Sequence, residues 1–444
     1  AGQAQKVYTQ KPLAIFVPAT RVDLWRTGRK EYMMQNKIDK HVEIELDMQR
    51  LYAVLYEWIK GIDAVEAREA GLLDDAEVEA LTRTAHERLK THGFMVLDRK
   101  PHHVIVRPRP QGGLLRNRDG EIRYAMVDYE LLQLTAAHDQ EVRQEKRSDY
   151  LRKQRDRFSI QTPKVLPSHL HYMNVFGVGY IYGETQSTSG ELWVVGKDPD
   201  LYDYFLPERW EKSPRTRLSA VHEAFHTVTK DNINLTWKVS RVGLVPDADP
   251  FKQDERAILE FGYNSPFEEI AIALRLSEGG VPTTYPRAIY RAGLRSEISE
   301  SLFDPRRYQS HEGLLSAHDT PILTPDRDYI TIWGYWNGPD EKLAVQDGDY
   351  LEGINALRAW REGFITEDTY VAMMERVRQQ LKALSVEDLN LRGTHILLSR
   401  RVASGELLRD ADGFPETRIC TFELLRMTEG WDSLVSRRRP ASSR

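Results

Sequence analysis

Gly61-Ile62-Asp63-Ala64-Val65-Glu66-Ala67 returns later in the chain as Gly353-Ile354-Asn355-Ala356-Leu357-Arg358-Ala359. The offset, 353 − 61 = 292, holds without a gap from residue 61 to residue 106, with 10 identities in those 46 positions. Gly71 then falls on Gly363, Leu89 on Leu381, Lys90 on Lys382 and His103 on His395. After one inserted residue, Leu114-Leu115-Arg116 and Asp119-Gly120 meet Leu407-Leu408-Arg409 and Asp412-Gly413, and Glu130-Leu131-Leu132 meets Glu423-Leu424-Leu425. An earlier strip, from Val17-Pro18 to Gly28, aligns with Val281-Pro282 to Gly293 with one insertion. Identity kept in this order points to two units of shared ancestry, and a repeat governs every later inference about fold.

Each unit reads as α+β. Ala14–Val17 and Val22–Trp25 are β-rich, and apolar residues fall at helical spacing over Leu46–Trp58 and Ala76–Leu89. Asp74, Asp75 and Thr366 stand where helix N-caps belong. A loop (Asp98–His103), a strand (Val104–Val106), an Asp119-Gly120 hairpin turn and a second strand (Tyr124–Val127) follow. His138–Phe158 reads as a charged, solvated connector helix of mixed sign. The expected division is a first unit over 1–160, an aromatic, Gly-rich β insertion or linker over 161–214, a second unit over 215–435, and a basic tail over 436–444.

The 444 residues, 41% hydrophobic and 29% charged, have the composition of a soluble globular chain of more than one domain. No apolar run reaches the roughly 18 residues of a membrane span, and a net charge of −5 argues against a nucleic-acid partner. The lone Cys420 excludes an internal disulfide and fits a reducing compartment, so a cytoplasmic location is expected.

The stretch Asp98-Arg99-Lys100-Pro101-His102-His103, a hairpin, and then Asp128-Tyr129-Glu130 resembles the catalytic core of the protein-kinase-like fold. In that family an Asp-x-Lys-Pro-x-Asn loop precedes a hairpin that ends in the metal-binding Asp of Asp-Phe-Gly. The resemblance implies Asp98 as the base that accepts the proton of the attacking hydroxyl, and Lys100 as the phosphate contact. It implies Asp128, with His103 at the Asn position, as the holder of Mg²⁺ against ATP. His103 is a softer ligand than the family's Asn, Val96 replaces its His, and Tyr129-Glu130 replaces Phe-Gly.

The second unit sets Asn390, Arg392 and Thr421 against Asp98, Lys100 and Asp128, so the resemblance there is to a pseudokinase. Because His395 is kept where both acids are lost, the His103/His395 pair also has a structural reading. Upstream, Lys238 lies on an alternating strand, and Glu268-Glu269 opens an apolar helix. The resemblance makes Lys238 and Glu268 the ion pair that positions nucleotide. The first unit's equivalent lobe would lie before Ala1.

A rival centre is His222-Glu223-Ala224-Phe225-His226, which resembles the zincin metallopeptidase motif over five residues. On a helix, His222 and His226 share one face and can bind Zn²⁺, with Glu223 as general base. The same residues also read as the first strand of a hairpin turning at Asp231-Asn232. Gly177, Gly179 and Gly183 read as turns or bulges more readily than as a phosphate loop.

Three functions follow: a kinase-like scaffold that binds a protein partner, with or without nucleotide as a structural ligand; an ATP- and Mg²⁺-dependent phosphotransferase using the first unit; and a zinc hydrolase. The scaffold is favoured, because neither unit holds a full set of catalytic parts.

Overall fold

The computed structural model describes residues 7–17, 52–129, 132–159, 165–185, 187–219, 222–336, 351–401 and 403–429. It is mixed α/β and divides into a unit of residues 1–145 and a unit of residues 146–444. The expected boundary at 160/161 therefore moves to 145/146.

The first unit opens with an antiparallel ribbon of β1 (Pro12–Phe16) and β2 (Ala53–Tyr56). The helix expected over Leu46–Trp58 is thus replaced by strand where it is described. A short apolar run fits either period, and pairing with β1 decides it. Val22–Trp25 lies outside the described residues. Next, β3 (Ile62–Asp63) runs into α1 (Ala64–Glu69) and α2 (Asp75–Thr91). Asp74 caps α2: its carboxylate accepts the Glu77 N–H at 2.7 Å, and Glu77 returns the bond to the Asp74 N–H at 2.9 Å. Val78, Leu81, Ala85 and Leu89 recur along one face of α2 and form the centre of this unit's core. Then come β4 (Phe94–Val96), β5 (Val104–Val106), β6 (Tyr124–Met126) and β7 (Leu132–Leu134), followed by α3 (Ala136–Asp156). The pairings are β3-β5-β6 and β4-β7.

The unit boundary falls inside α3. Its later turns bury Arg147, Tyr150 and Gln154, so α3 is not the fully solvated connector that its charge pattern implies. Tyr150 packs against Tyr204 and Phe205, an aromatic contact that mixed-sign charge counting does not register.

The second unit begins with β8 (Leu170–Val175), β9 (Val178–Thr185) and β10 (Gly190–Val195). Phe176 and Gly177, both at positive φ, make the two-residue turn between β8 and β9. β11 (Arg215–Arg217), β12 (Ala224–Val228) and β13 (Asn234–Val239) follow, then α4 (Pro266–Glu278), β14 (Pro286–Arg295) and β15 (Arg327–Gly334). All eight strands form one antiparallel sheet, ordered β11-β12-β13-β15-β14-β10-β9-β8. Residues 161–214 are therefore no separate insertion or linker, because β10 pairs directly with β14. One face of the sheet packs on α4 through Phe267 and Ile270, and the other holds Trp210, Trp237 and Tyr290.

The unit continues with β16 (Leu351–Asn355), α5 (Ala356–Arg361), α6 (Glu367–Ala383), β17 (Val386–Asp388), β18 (Ile396–Arg401), β19 (Thr417–Ile419) and β20 (Leu425–Met427). The pairings β16-β18-β19 and β17-β20 repeat those of the first unit. Individual bonds recur as well: Thr135 N–H donates to Gly93 O at 2.8 Å, and Thr428 N–H to Ser385 O at 2.9 Å.

The recurrence extends to the ribbon, in a register that differs from the one expected. Met126 N–H donates to Tyr8 O, and Ile419 N–H to Pro282 O. Residues 7–16 therefore answer to 281–290, with Val, Thr, Pro, Ala and Ile shared, and the match from Val17-Pro18 to Val281-Pro282 is ten residues out of place. Ala14 pairs with Leu55 and Ile15 with Val54, just as Ala288 pairs with Ile332 and Ile289 with Thr331. Both ribbons break register at the same point, after Pro12 and after Pro286.

Candidate functional site

In the first unit, the loop between β4 and β5 brings together Asp98, Lys100, His103 and Asp128. The Lys100 ammonium lies 2.5 Å from Asp98 Oδ2, and His103 Nε2 lies 3.2 Å from Asp128 Oδ2. The bond that Lys100 donates to Asp98, and then the Asp98 charge, push the Lys100 pKa up, with Asp128 near enough to add to the effect. A 3₁₀ turn at Pro101–His103 aims His103 inward, and the Val127 N–H fixes its carbonyl at 2.9 Å. Asp128 holds φ at 63°, a left-handed conformation that Asp tolerates better than most residues and that clusters at functional sites.

As a magnesium site this arrangement is poor. Its two carboxylates are already matched by a lysine and an imidazole, while Mg²⁺ takes a near-octahedral shell of oxygens. Among the described residues, no group of three His, Cys, Asp or Glu side chains is arranged to hold a metal ion.

The second unit keeps the loop and changes its charges. Arg392 Nε donates to Asn390 Oδ1 at 2.7 Å, where the first unit has its Lys100–Asp98 pair. His395 approaches Asp388 at 3.5 Å, and its carbonyl takes the Cys420 N–H at 3.0 Å.

The second unit also holds a buried charge cluster. Lys238 Nζ, on β13, sits 2.8 Å from Glu269 Oε2 on α4 and 2.9 Å from Glu423 Oε1 beyond β19. Arg241 Nε donates to Glu423 Oε2 at 2.8 Å, and its guanidinium lies 4.0 Å over the Tyr263 ring. Two cations and two carboxylates balance. Burial alone would lower the Lys238 pKa, but Glu269 and Glu423 outweigh it and push it well up. Burial would raise Glu423, yet Lys238 and Arg241 hold it well below the usual carboxylate range. Glu269 stays raised, because burial exceeds the help it gets from Lys238.

The lysine's partner is thus Glu269, one residue beyond the expected Glu268. Glu268 is taken up by the helix start: its carboxylate accepts the Ser265 N–H at 2.8 Å and meets Arg307 at 3.2 Å. A residue at N3 closes the capping box, whereas its neighbour projects about 100° around the helix, here toward β13. Sequence reasoning also missed Glu423 and Arg241. The available signal was the Glu130/Glu423 match, a carboxylate kept in both units.

The zincin reading fails on secondary structure. Ala224–Val228 is strand β12, paired with β11 and β13, so the helix that the motif requires is absent. Four residues along a strand span ~13 Å, too far for two imidazoles to share one ion. His226 Nε2 instead lies 3.1 Å from Asn234 Oδ1, with its ring against Tyr335. His222, in the loop before β12, is half-buried beside the ion cluster. Burial and then Arg241 push its pKa down.

Comparison with protein-family models, with curated proteins and with solved structures returns no match to this chain. No helix among the described residues is long and apolar enough to cross a membrane.

Proposed function

We propose that the chain is a protein-kinase-like scaffold that binds a protein partner, built from two related units of which the second is pseudokinase-like. The observation that carries this reading is the closed charge balance at Lys238. A strand lysine paired with a helix glutamate is the arrangement that kinases use to position nucleotide. Here Glu423 and Arg241 complete and neutralise that pair, while Asn390 and Thr421 stand where the base and the metal ligand belong. Lys238 lies on the third strand of the run β11-β12-β13, and the helix bearing Glu269 comes before the next strand of the sheet, which fits the same resemblance. Common ancestry of the two units is supported by the shared bonds, the shared register and the shared bulge.

A second reading has one observation in its favour. The first unit brings Asp98 and Lys100, in the β4–β5 loop, near Asp128, which follows β6 in the left-handed region, an arrangement in keeping with a phosphotransferase site.

Calorimetric titration of ATP with Mg²⁺ or Mn²⁺ into the native chain and into Asp128→Ala tests both readings. The scaffold predicts no metal-dependent saturation that distinguishes the two proteins, and no transfer of labelled γ-phosphate. Metal-dependent binding that disappears in Asp128→Ala would overturn it in favour of the phosphotransferase.

A further inference from the structure

The ribbons β1–β2 and β14–β15 have the same register and the same bulge, but their surroundings differ. Ile289, Tyr290 and Ile332 are 0%, 3% and 0% exposed, whereas their counterparts Ile15, Phe16 and Leu55 are 65%, 66% and 61% exposed. Trp58, just past β2, is 81% exposed. Side chains as apolar as these, adjoining on one two-stranded ribbon, mark an interaction surface. A two-stranded ribbon is also marginal without further strands or a helix to cover it.

The second unit shows what such a ribbon takes. Strand β13 lies along β15, pairing Trp237 with Ile332 and Lys238 with Thr331, and α4 packs across the ribbon's face. In the first unit, no described strand lies along β2 on the side away from β1.

We propose that β1–β2 is the docking surface for a strand-and-helix segment of a second polypeptide. That segment adds an apolar strand along Ala53–Tyr56, whose side chains pack on Leu55 as Trp237 does on Ile332, and lays the apolar face of a helix over Ile15 on the opposite face, where α4 covers Ile289, which is β-augmentation. The proposal rests on the scaffold reading for its biological sense, and on the ribbon comparison for its geometry.

The test uses the full chain and, as probe, a fluorescent synthetic polypeptide copying residues 229–278, which spans β13 and α4. Saturable binding in the micromolar range is expected, weakened at least tenfold by Leu55→Arg or Ile15→Asp and unchanged by Val371→Arg, an exposed apolar site remote in sequence. These side chains are exposed, so the variants should melt as the native chain does. Absence of saturable binding overturns the proposal. So does a dimer of the chain alone that Leu55→Arg dissolves, which assigns the surface to a second copy. Slow hydrogen exchange in the unliganded monomer at those amides of 53–56 that do not bond β1 also overturns it, because the chain then covers its own ribbon edge. Metal-dependent ATP binding would sink the scaffold reading without touching this result, so the two failures are distinguishable.

Discussion

Loops 98–103 and 390–395 keep one backbone and exchange nearly every charge. His103 N–H donates to Lys100 O at 3.1 Å, and His395 N–H to Arg392 O at 2.9 Å; each histidine carbonyl then takes a bond from the strand beyond the hairpin. The first unit joins positions 98 and 100 by an exposed ion pair, and the second joins 390 and 392 by a neutral-acceptor bond. What both retain is therefore a way of folding the loop. What differs is the chemistry that the loop presents. The second unit also holds charge in the buried cluster at Lys238, where it joins strand, helix and hairpin.

The largest effect should separate the two lysines. Lys238→Met leaves Glu269 buried without its cation and Glu423 with Arg241 alone, and removing one partner of a buried pair costs about 3–5 kcal/mol. Urea unfolding of the second unit should shift accordingly, and Lys238→Met/Glu269→Gln should recover part of the loss. Lys100→Met, at an exposed pair, should leave the midpoint where it is. Equal shifts for both lysines would break the distinction between a buried structural cluster and a surface pair.

A smaller effect sharpens the likeness instead. Asp74 and Thr366 begin the two equivalent helices, accepting from Glu77 N–H at 2.7 Å and Thr369 N–H at 3.2 Å. Asp74→Ala and Thr366→Ala should each cost about 1 kcal/mol, with Asp74 the larger because its cap is reciprocal and carries charge toward the helix N-terminus. Unfolding midpoints read against an unchanged denaturant slope would show this. A null result at either cap would mean that tertiary packing alone holds that helix.

Much of this was legible in the sequence because repeats and caps are local signals. The 292-residue offset found the recurring elements, and Asp74, Thr366 and the Asp119-Gly120 turn fell where they were read. What stayed hidden depends on contacts between distant residues. Ala53–Tyr56 became strand because Pro12–Phe16 pairs with it, and no periodicity within either segment contains that information. The stretch 161–214 looked separable, but its strands β8–β10 join the sheet through the pairing of β10 with β14. At the site, Lys238 was found from its alternating strand. Glu423, 185 positions later, becomes its partner only through the fold, and the choice between Glu268 and Glu269 turns on which one the cap consumes.

The smallest effect is a pH dependence that each unit should show through its own buried histidine. His86 lies inside α2, and its pKa is pushed down by burial first and by Arg99 and His103 after it. His311 has Ser265 Oγ at 2.8 Å, Ser310 Oγ at 2.9 Å, the Phe176 ring at 5.2 Å, Arg307 nearby and Glu268 at 3.8 Å. Burial lowers the His311 pKa, Glu268 opposes that, and the net direction is down. An unfolded histidine takes up its proton near pH 6.5, while these folded ones resist it. The unfolded state then binds more protons, so stability is complete above about pH 6.5 and falls as pH drops toward the lowered folded values. Between pH 8 and pH 5.5 the histidines should make the thermal melts of both units decline, against an opposing gain in the second unit from Glu269, whose pKa, raised to about 7 by burial, makes its folded form the better proton acceptor. His86→Gln should flatten only the first unit's decline and His311→Gln only the second's, whatever each substitution does to the level at pH 8. An unchanged slope in both variants would assign the acid limb to the carboxylates and remove the histidines from the account.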